Sequence, residues 1–126
     1  MEIDFVNTMQ NNNVTLDQPL NASNGARWDT RPPETILNAG SKIQPGQNRT
    51  QVTLPRNGVI RFQYRRMNVN PPASVNVTIT NNNGTIQVTA HPSNAAQLDA
   101  TPNVQQYVGG TGGPASGKVT ITFHGQ

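Results

Sequence analysis

The chain has 126 residues, of which 33% are hydrophobic and 12% charged, and its formal net charge is +3 at pH 7. This length suits one ordinary domain, so we expect residues 1–126 to form a single domain. Cysteine is absent, which excludes disulfides, thiolate-bound zinc, iron–sulfur clusters and thiol catalysis. No apolar run approaches the ~18 residues of a membrane-spanning helix, so an integral membrane helix is excluded.

The composition favours strands joined by turns. Asn and Thr dominate the polar residues with 17 and 14 copies, whereas Lys and Glu, which favour helix surfaces, have two copies each. Val and Thr prefer strands, and the 11 Gly and 10 Pro residues favour turns between them. We therefore expect few helices and a small core.

Apolar residues alternate with polar ones along most of the chain, which is the pattern of strands with one buried face. Weaker patterns of the same kind lie at residues 35–37 and 104–108. In chain order, the alternating apolar residues are Ile3 and Phe5; Val14 and Leu16; Val52 and Leu54; Ile60, Phe62 and Tyr64; Val75, Val77 and Ile79; Ile86 and Val88; and Val119, Ile121 and Phe123.

The clearest predicted element is a hairpin at residues 75–90. Two alternating runs flank Asn-Asn-Asn-Gly at residues 81–84, and Asn-Gly between such runs is the strongest short-range signal for a β-hairpin. The face that carries Val and Ile should lie in the core. The face that carries Asn and Thr should lie in water or against a partner.

Turn-forming residues separate the other predicted strands. Residues 44–47 place Pro second and Gly third, and residues 55–58 read Pro-Arg-Asn-Gly, which are both typical of tight turns. Pro71 and Pro72 interrupt any strand at that point, because proline cannot donate a backbone hydrogen bond.

About seven or eight strands at regular spacing predict an all-β fold, which is an antiparallel β-sandwich or jelly roll. At most one short helical turn is expected, at residues 93–99, with Ser93 as its cap. The glycine-rich residues 109–113 predict a mobile loop, which is a candidate for gripping a ligand at one end of the sandwich.

No group of residues has the pattern of a catalytic or metal site. His91 and His124 are the only histidines, and no pair of potential ligands has the spacing of a metal site. No nucleophile-elbow pattern surrounds any of the five serines, and nothing pairs the carboxylates as glycoside hydrolysis requires. We therefore predict a protein that is not an enzyme and that uses no cofactor.

The charge is uneven, because no acidic residue lies between Glu34 and Asp99. A solvated strand face accounts for this basic segment. A nucleic-acid partner is not predicted, because only Phe62 and Tyr64 accompany the basic residues and no RNA-binding or helix-turn-helix signature is present. The basic residues of this segment are Lys42, Arg49, Arg56, Arg61, Arg65 and Arg66.

Trp28 is the only tryptophan, and Arg27 and Arg31 flank it in a stretch rich in Asn, Gly and Pro. A buried Trp28 would fill the core beneath a loop. An exposed Trp28 would anchor an interface or offer a platform on which sugars stack. The two arginines suit anionic head groups or sugars.

Three parts of the sequence together resemble one family. They are FVN, VTL and GARW at residues 5–7, 14–16 and 25–28; KIQPG at residues 42–46; and ASGKVTITF at residues 115–123. In this order they resemble the aegerolysins, which are small β-sandwich proteins that bind membrane lipids and act as partners of pore-forming proteins. The resemblance implies Trp28 and its arginines as lipid contacts.

Residues 57–66 and 115–124 are also similar to the smaller component of bacterial insecticidal binary toxins, which is a related β-sandwich. The resemblance to the aegerolysins implies that Tyr64 and Tyr107 are further candidate contacts. A second protein component is then an expected partner.

These observations predict a non-enzymatic binding module of the toxin or cytolysin type, which recognises a membrane lipid head group or a glycan. The alternative is a self-assembling structural protein, such as a virion coat, decoration or crystal-forming subunit, whose edges further copies would complete. The predicted ligand contacts are Trp28, Arg27, Arg31, Arg61, Arg65, Arg66 and Tyr64.

The first five residues have neither the basic segment nor the apolar run of a signal peptide. The expectation is therefore synthesis in the cytoplasm, with release by a non-classical route.

Overall fold

The structure, a computed structural model, describes residues 1–44, 46–108 and 114–126 of the chain. These residues form ten β-strands and no helix, so the predicted all-β class is confirmed. Two strands contain only two residues each, which is why the number exceeds the seven or eight expected. The strands are β1 (Glu2–Asn7), β2 (Val14–Ser23), β3 (Arg27–Trp28), β4 (Thr35–Ile36), β5 (Arg49–Thr53), β6 (Val59–Arg66), β7 (Ala73–Asn82), β8 (Thr85–Pro92), β9 (Asp99–Val108) and β10 (Ser116–His124).

The strands form two five-stranded sheets whose inner faces pack together. The first sheet has the order β3-β5-β1-β10-β9, and the second has the order β4-β2-β6-β7-β8. Neighbouring strands in the described sheets are antiparallel except β1 and β10, which run parallel. The expectation of a purely antiparallel sandwich is corrected at this pair. Alternation indicates which face of a strand is buried, but it does not indicate which strand lies beside it.

The inward faces of both sheets supply the core. Val75 and Ile79 have no exposed surface, whereas Thr78 and Thr80 are half-buried on the outer face, which confirms the predicted faces of the hairpin. Val88 is only partly buried. The other predicted inward residues are all buried, namely Ile3, Phe5, Val14, Leu16, Val52, Leu54, Ile60, Phe62, Tyr64, Val77, Ile86, Val119, Ile121 and Phe123.

Four aromatic rings join the two sheets at the centre of this core. Phe5 and Phe123 come from the first sheet, and Phe62 and Tyr64 come from the second. The Phe5 and Tyr64 centroids are 5.5 Å apart, and the Tyr64 and Phe123 centroids are 5.1 Å apart. Tilted and edge-to-face contacts at these distances add to the stabilisation that burial of apolar area provides.

The hairpin turn forms where the sequence predicts it. Asn83 and Gly84 connect β7 to β8 with φ angles of 53° and 98°, as a two-residue turn requires. The turn at residues 55–58 is also confirmed, because Gly58 N donates to Pro55 O at 2.8 Å. A strand begins immediately after Pro72, as expected from the two prolines.

Other predicted turns are described only in part. Gln47 N donates to Gln44 O at 3.0 Å, but Pro45 between them lies outside the described residues. The predicted glycine-rich loop at residues 109–113 lies outside them as well, and so does the side chain of Tyr107.

The segment after β8 makes a single turn. Gln97 N and Leu98 N both donate to the carbonyl of Asn94, at 3.1 and 2.9 Å. Ser93 does not cap this turn, because its Oγ accepts a hydrogen bond from the backbone N of Ser74 at 2.9 Å. The predicted cap is therefore wrong, because the Ser93 hydroxyl bonds to the neighbouring strand β7 and not to the turn.

Candidate functional site

The seven side chains predicted to contact a ligand do not converge on one site. Three lie on or just after β3 at the edge of the first sheet, two lie on the outer face of β6, and two point inward from β6. In that order they are Arg27, Trp28 and Arg31; Arg61 and Arg65; and Tyr64 and Arg66.

Trp28 packs against the margin of the core. Its ring meets that of Phe62 nearly edge to face, with centroids 5.8 Å apart and planes at 72°. The indole Nε1 is covered, and it has no hydrogen-bond partner among the described residues. This placement agrees with the interpretation of Trp28 as a core-filling residue.

The arginines beside Trp28 are held by neighbouring carboxylates. Arg27 Nε donates to Asp29 Oδ1 at 2.8 Å, and Arg31 Nε donates to Glu34 Oε1 at 2.8 Å. The hydrogen bond from Arg27, with a second from Thr53, lowers the pKa of Asp29. Both arginines are exposed, but their charges are already paired within the chain.

The outer face of the second sheet carries the basic residues of β6. Arg61 is exposed, and it forms no ion pair among the described residues. Arg65 Nε lies 3.5 Å from Asp17 Oδ2, and Gln63 Nε2 donates to the same carboxylate oxygen. Asn76 and Thr78 on β7 continue this polar surface beside the arginines.

Tyr64 and Arg66 lie inside the sandwich. Tyr64 has no exposed surface, and its hydroxyl donates to Pro33 O at 2.7 Å. Burial raises the pKa of Tyr64 above its usual value. Arg66 is 6% exposed at the end of β6. Alternation along β6 turns both side chains inward, which removes Tyr64 from any surface that a ligand could reach.

A cleft of about 350 Å³, which we call the β1 cleft, opens between β1 and the segment that joins β4 to β5. It forms because β5 pairs with only the first half of β1, so the second half faces this segment instead. Phe5 N donates to Asn48 O at 2.9 Å and holds the segment in place. The cleft is lined by Asp4, Phe5, Val6, Asn7, Leu37, Asn38, Ala39, Gly40, Ser41, Ile43, Gly46, Asn48 and Arg49.

One side of the β1 cleft is an ion-pair network. Arg49 Nε donates to Asp4 Oδ1 at 3.0 Å and lies 3.2 Å from Glu2 Oε1. Lys118 Nζ, on β10, lies 3.1 Å from Asp4 Oδ2. Desolvation acts to raise the pKa of Asp4, but hydrogen bonds and charges from Arg49 and Lys118 outweigh it, so that pKa lies below its usual value. Asp4 is therefore a carboxylate at neutral pH.

The remainder of the β1 cleft is neutral and partly apolar. Asn48 Oδ1 is covered, and no donor in the described residues reaches it. Ser41 Oγ donates to Asn38 Oδ1 at 2.8 Å, which ties the far rim together. Val6 and Ile43 are 42% and 41% exposed, so they offer apolar surface beside these polar groups.

The sequence does not mark the residues of this cleft as a site. Asp4 belongs to a predicted strand and Val6 follows that strand, whereas Asn38, Ser41 and Asn48 lie in a segment without alternation that contains the predicted turn at residues 44–47. The strand partners of β1 bring these residues together, and alternation does not specify strand partners. Val6 is an apolar residue where the alternation calls for a polar one, and the structure places it on this surface, 42% exposed.

Comparison of the chain with models of protein families, with curated proteins and with solved structures found no match. In the described ranges, no helix is long and apolar enough to cross a membrane. Within the same ranges, no three His, Cys, Asp or Glu side chains are grouped to hold a metal ion. The fold and the site thus define a two-sheet β-sandwich with a polar cleft beside β1. The resemblance to aegerolysins and to the insecticidal toxin component stays a prediction.

Proposed function

We propose that this protein is a non-enzymatic recognition module that binds a glycan in the β1 cleft. The observation that carries the proposal is Asn48, which lines the cleft with Asp4 and whose covered Oδ1 has no donor among the described residues. A buried acceptor without a donor is costly, by about 1–3 kcal/mol. The hydroxyl groups of a sugar are donors that would remove this cost.

The other groups of the cleft suit the same ligand. A sugar ring has apolar C–H faces as well as hydroxyl groups, and Val6 and Ile43 provide apolar surface for such faces. The volume falls at the lower end of the range for small-ligand sites. The predicted resemblances to aegerolysins and to the insecticidal toxin component also imply a binding protein that is not an enzyme.

A glycan is favoured over an anionic lipid head group because the cations of the cleft are already paired. Arg49 and Lys118 both contact Asp4, and Arg49 also contacts Glu2. An anion would have to compete with these carboxylates, whereas a neutral sugar leaves the ion pairs intact.

The test is a glycan array followed by titration calorimetry on the best-bound glycan. Asn48→Ala and Ile43→Asp should each weaken binding roughly tenfold or more, because one removes an acceptor and the other removes an apolar contact. Asn48→Ala should not lower the free energy of unfolding, because it removes an acceptor that no donor of the described residues reaches.

Matched controls come from the residues that the sequence indicated. Arg27→Gln, Arg31→Gln and Arg61→Gln change exposed arginines outside the cleft and should leave the affinity unchanged. Loss of binding in these variants, with retention in Asn48→Ala, would place the site elsewhere. Binding to anionic vesicles in preference to every glycan would favour the lipid head group instead.

Self-assembly is a second candidate, and it is favoured by the edge strand β9. Val104 pairs with the buried Val119, so it occupies an inward position, yet it is 40% exposed. Strand β9 has ten residues and, in the described part of the chain, a hydrogen-bonded strand on only one side. Near its end the Gln106 side chain bonds to Ile86 N and Gly84 O of the second sheet, so Val104 lies in the part of the strand that further copies could pair with.

Light scattering over a range of protein concentrations tests this candidate. If copies associate through β9, Val104→Lys should shift the measured mass to that of the monomer, because a charge opposes burial in an interface. Val6→Lys is the matched control, since Val6 is similarly exposed on the outer face of the first sheet. A monomeric wild-type protein at high concentration would exclude self-assembly.

A further inference from the structure

Arg66 is the last residue of β6, at the end of the sandwich opposite the β7–β8 turn. It follows Ile60, Phe62 and Tyr64 on the inward face of the strand and is only 6% exposed. An arginine in this position is unusual, because a charged side chain is almost never fully buried unless it is paired.

Part of the Arg66 guanidinium has no hydrogen-bond partner among the described residues. Nη1 donates to Gln97 O at 2.6 Å, but Nε is covered and has no acceptor among the described residues. No ion pair in the described chain involves Arg66, whereas Arg27, Arg49 and Arg65 all contact carboxylates. A buried charge without a counter-charge is costly, so an anionic group beside Arg66 would stabilise the folded protein.

A cavity of about 290 Å³ adjoins this guanidinium. Gln10, Asn11 and Asn12, which carry neutral amides, line it with Arg66, Thr8, Met9, Gly125 and Gln126. The Thr8 hydroxyl is already used, because it donates to Phe123 O at 3.0 Å. Amide N–H groups donate hydrogen bonds to oxyanions without repelling them. Among the described residues, the cavity therefore offers one cationic side chain, several neutral amides and no competing carboxylate side chain.

We propose that Arg66 anchors a binding site for a small oxyanion, which is a phosphate or a carboxylate group, at this end of the sandwich. The planar guanidinium presents parallel N–H groups that match two oxygens of such a group. The site is separate from the β1 cleft, which Arg66 does not line, so the two proposals stand or fall independently.

The experiment is an NMR titration of the ¹⁵N-labelled wild-type protein with inorganic phosphate at constant ionic strength. The Arg66 Nε–H resonance and the backbone amide of Asn11 should shift with one saturable curve. Parallel titrations with acetate and glycerol phosphate distinguish the sources. Tighter binding of glycerol phosphate than of inorganic phosphate would indicate that the oxyanion belongs to a larger molecule.

Two variants separate a specific site from general attraction to a basic protein. Arg66→Lys keeps the positive charge but removes the planar guanidinium with its parallel N–H groups, so it should weaken phosphate binding roughly tenfold. Arg61→Gln removes an exposed arginine of the same strand and should bind as the wild type does. Phosphate should also raise the Tm of the wild type and of Arg61→Gln more than that of Arg66→Lys.

An Arg66 Nε–H resonance that does not move in the wild-type protein at high phosphate would overturn the proposal, whichever variants fold. Equal weakening by Arg61→Gln and Arg66→Lys would overturn it too, because the attraction would then be non-specific.

Discussion

At the scale of single residues, position on a strand decides what a side chain can do. Arg61 and Tyr64 lie on the same strand and were predicted to contact the same ligand, yet one is exposed and the other has no exposed surface. Their positions differ by three, which is an odd number, so they occupy opposite faces of the sheet. The Tyr64 hydroxyl is used to hold the loop that contains Pro33.

Tyr64→Phe should therefore destabilise the fold without changing ligand binding. The substitution leaves Pro33 O without its donor, which should lower the free energy of unfolding by about 1 kcal/mol. Urea unfolding followed by tryptophan fluorescence measures this, with Arg61→Gln as the control on the outer face. An unchanged unfolding midpoint in Tyr64→Phe would show that solvent replaces the lost donor.

At the scale of strands, irregularities fix how neighbours fit. The pairing of β9 with β10 shifts between Ser116 and Gly117, and Gly117 adopts a φ of 152° there. A Cβ at this position would lie 2.5 Å from Gln105 O, which is closer than real contacts allow. This bulge lies near the start of β10 and sets the register of the rest of the strand pair.

Gly117→Ala should thus be strongly destabilising, by about 2–4 kcal/mol, since it adds a steric collision to an unfavourable backbone conformation. Gly40→Ala is a matched control, because Gly40 also has a positive φ, of 93°, but its Cβ would meet nothing within 4 Å. The control should lose only about 1 kcal/mol. Chemical denaturation of both variants gives the comparison, and equal losses would mean that the strands move apart freely to relieve the collision.

At the scale of the whole molecule, ionisable groups tie distant parts of the chain together. Asp4 links β1 to β5 and β10 through Arg49 and Lys118, and Tyr64 links the core to the loop at Pro33. The pKa of Asp4 is lowered and that of Tyr64 is raised in the folded state. These opposite shifts predict that stability falls towards both ends of the pH scale.

The direction at each end follows from proton binding. A carboxylate with a lowered pKa stabilises the fold above its unfolded value of about 3.9, and this stability is lost as the pH falls further. The buried phenol of Tyr64 keeps its proton in the folded state, whereas the phenol of the unfolded chain ionises near its ordinary pKa. This ionisation favours the unfolded state. Stability is therefore lost as the pH rises above about 10.

Urea midpoints measured at acid, neutral and alkaline pH should fall on both sides of neutrality. Asp4→Asn should flatten the acid side, and Tyr64→Phe should flatten the alkaline side, because each removes one of the titrating groups. Profiles of these variants that run parallel to that of the wild type would assign the pH dependence to other groups.

The sequence by itself determined the longer strands and their buried faces. Alternation placed Val75, Ile79 and Ile121 in the core, and Asn-Gly placed the β7–β8 turn, because both signals act between residues that are close in the chain. Composition likewise determined the all-β class, since the residues that form strands and turns outnumber those that favour helices.

Only the tertiary structure decided which strands meet and what lies between them. The parallel pairing of β1 with β10, the β1 cleft and the burial of Arg66 all depend on contacts between residues far apart in the chain. Alternation has a period of two and carries no information about which strands pair, whether they run parallel, or their order in the sheet. For that reason the fold class could be predicted, whereas the residues of both proposed sites emerged from the assembled sheets.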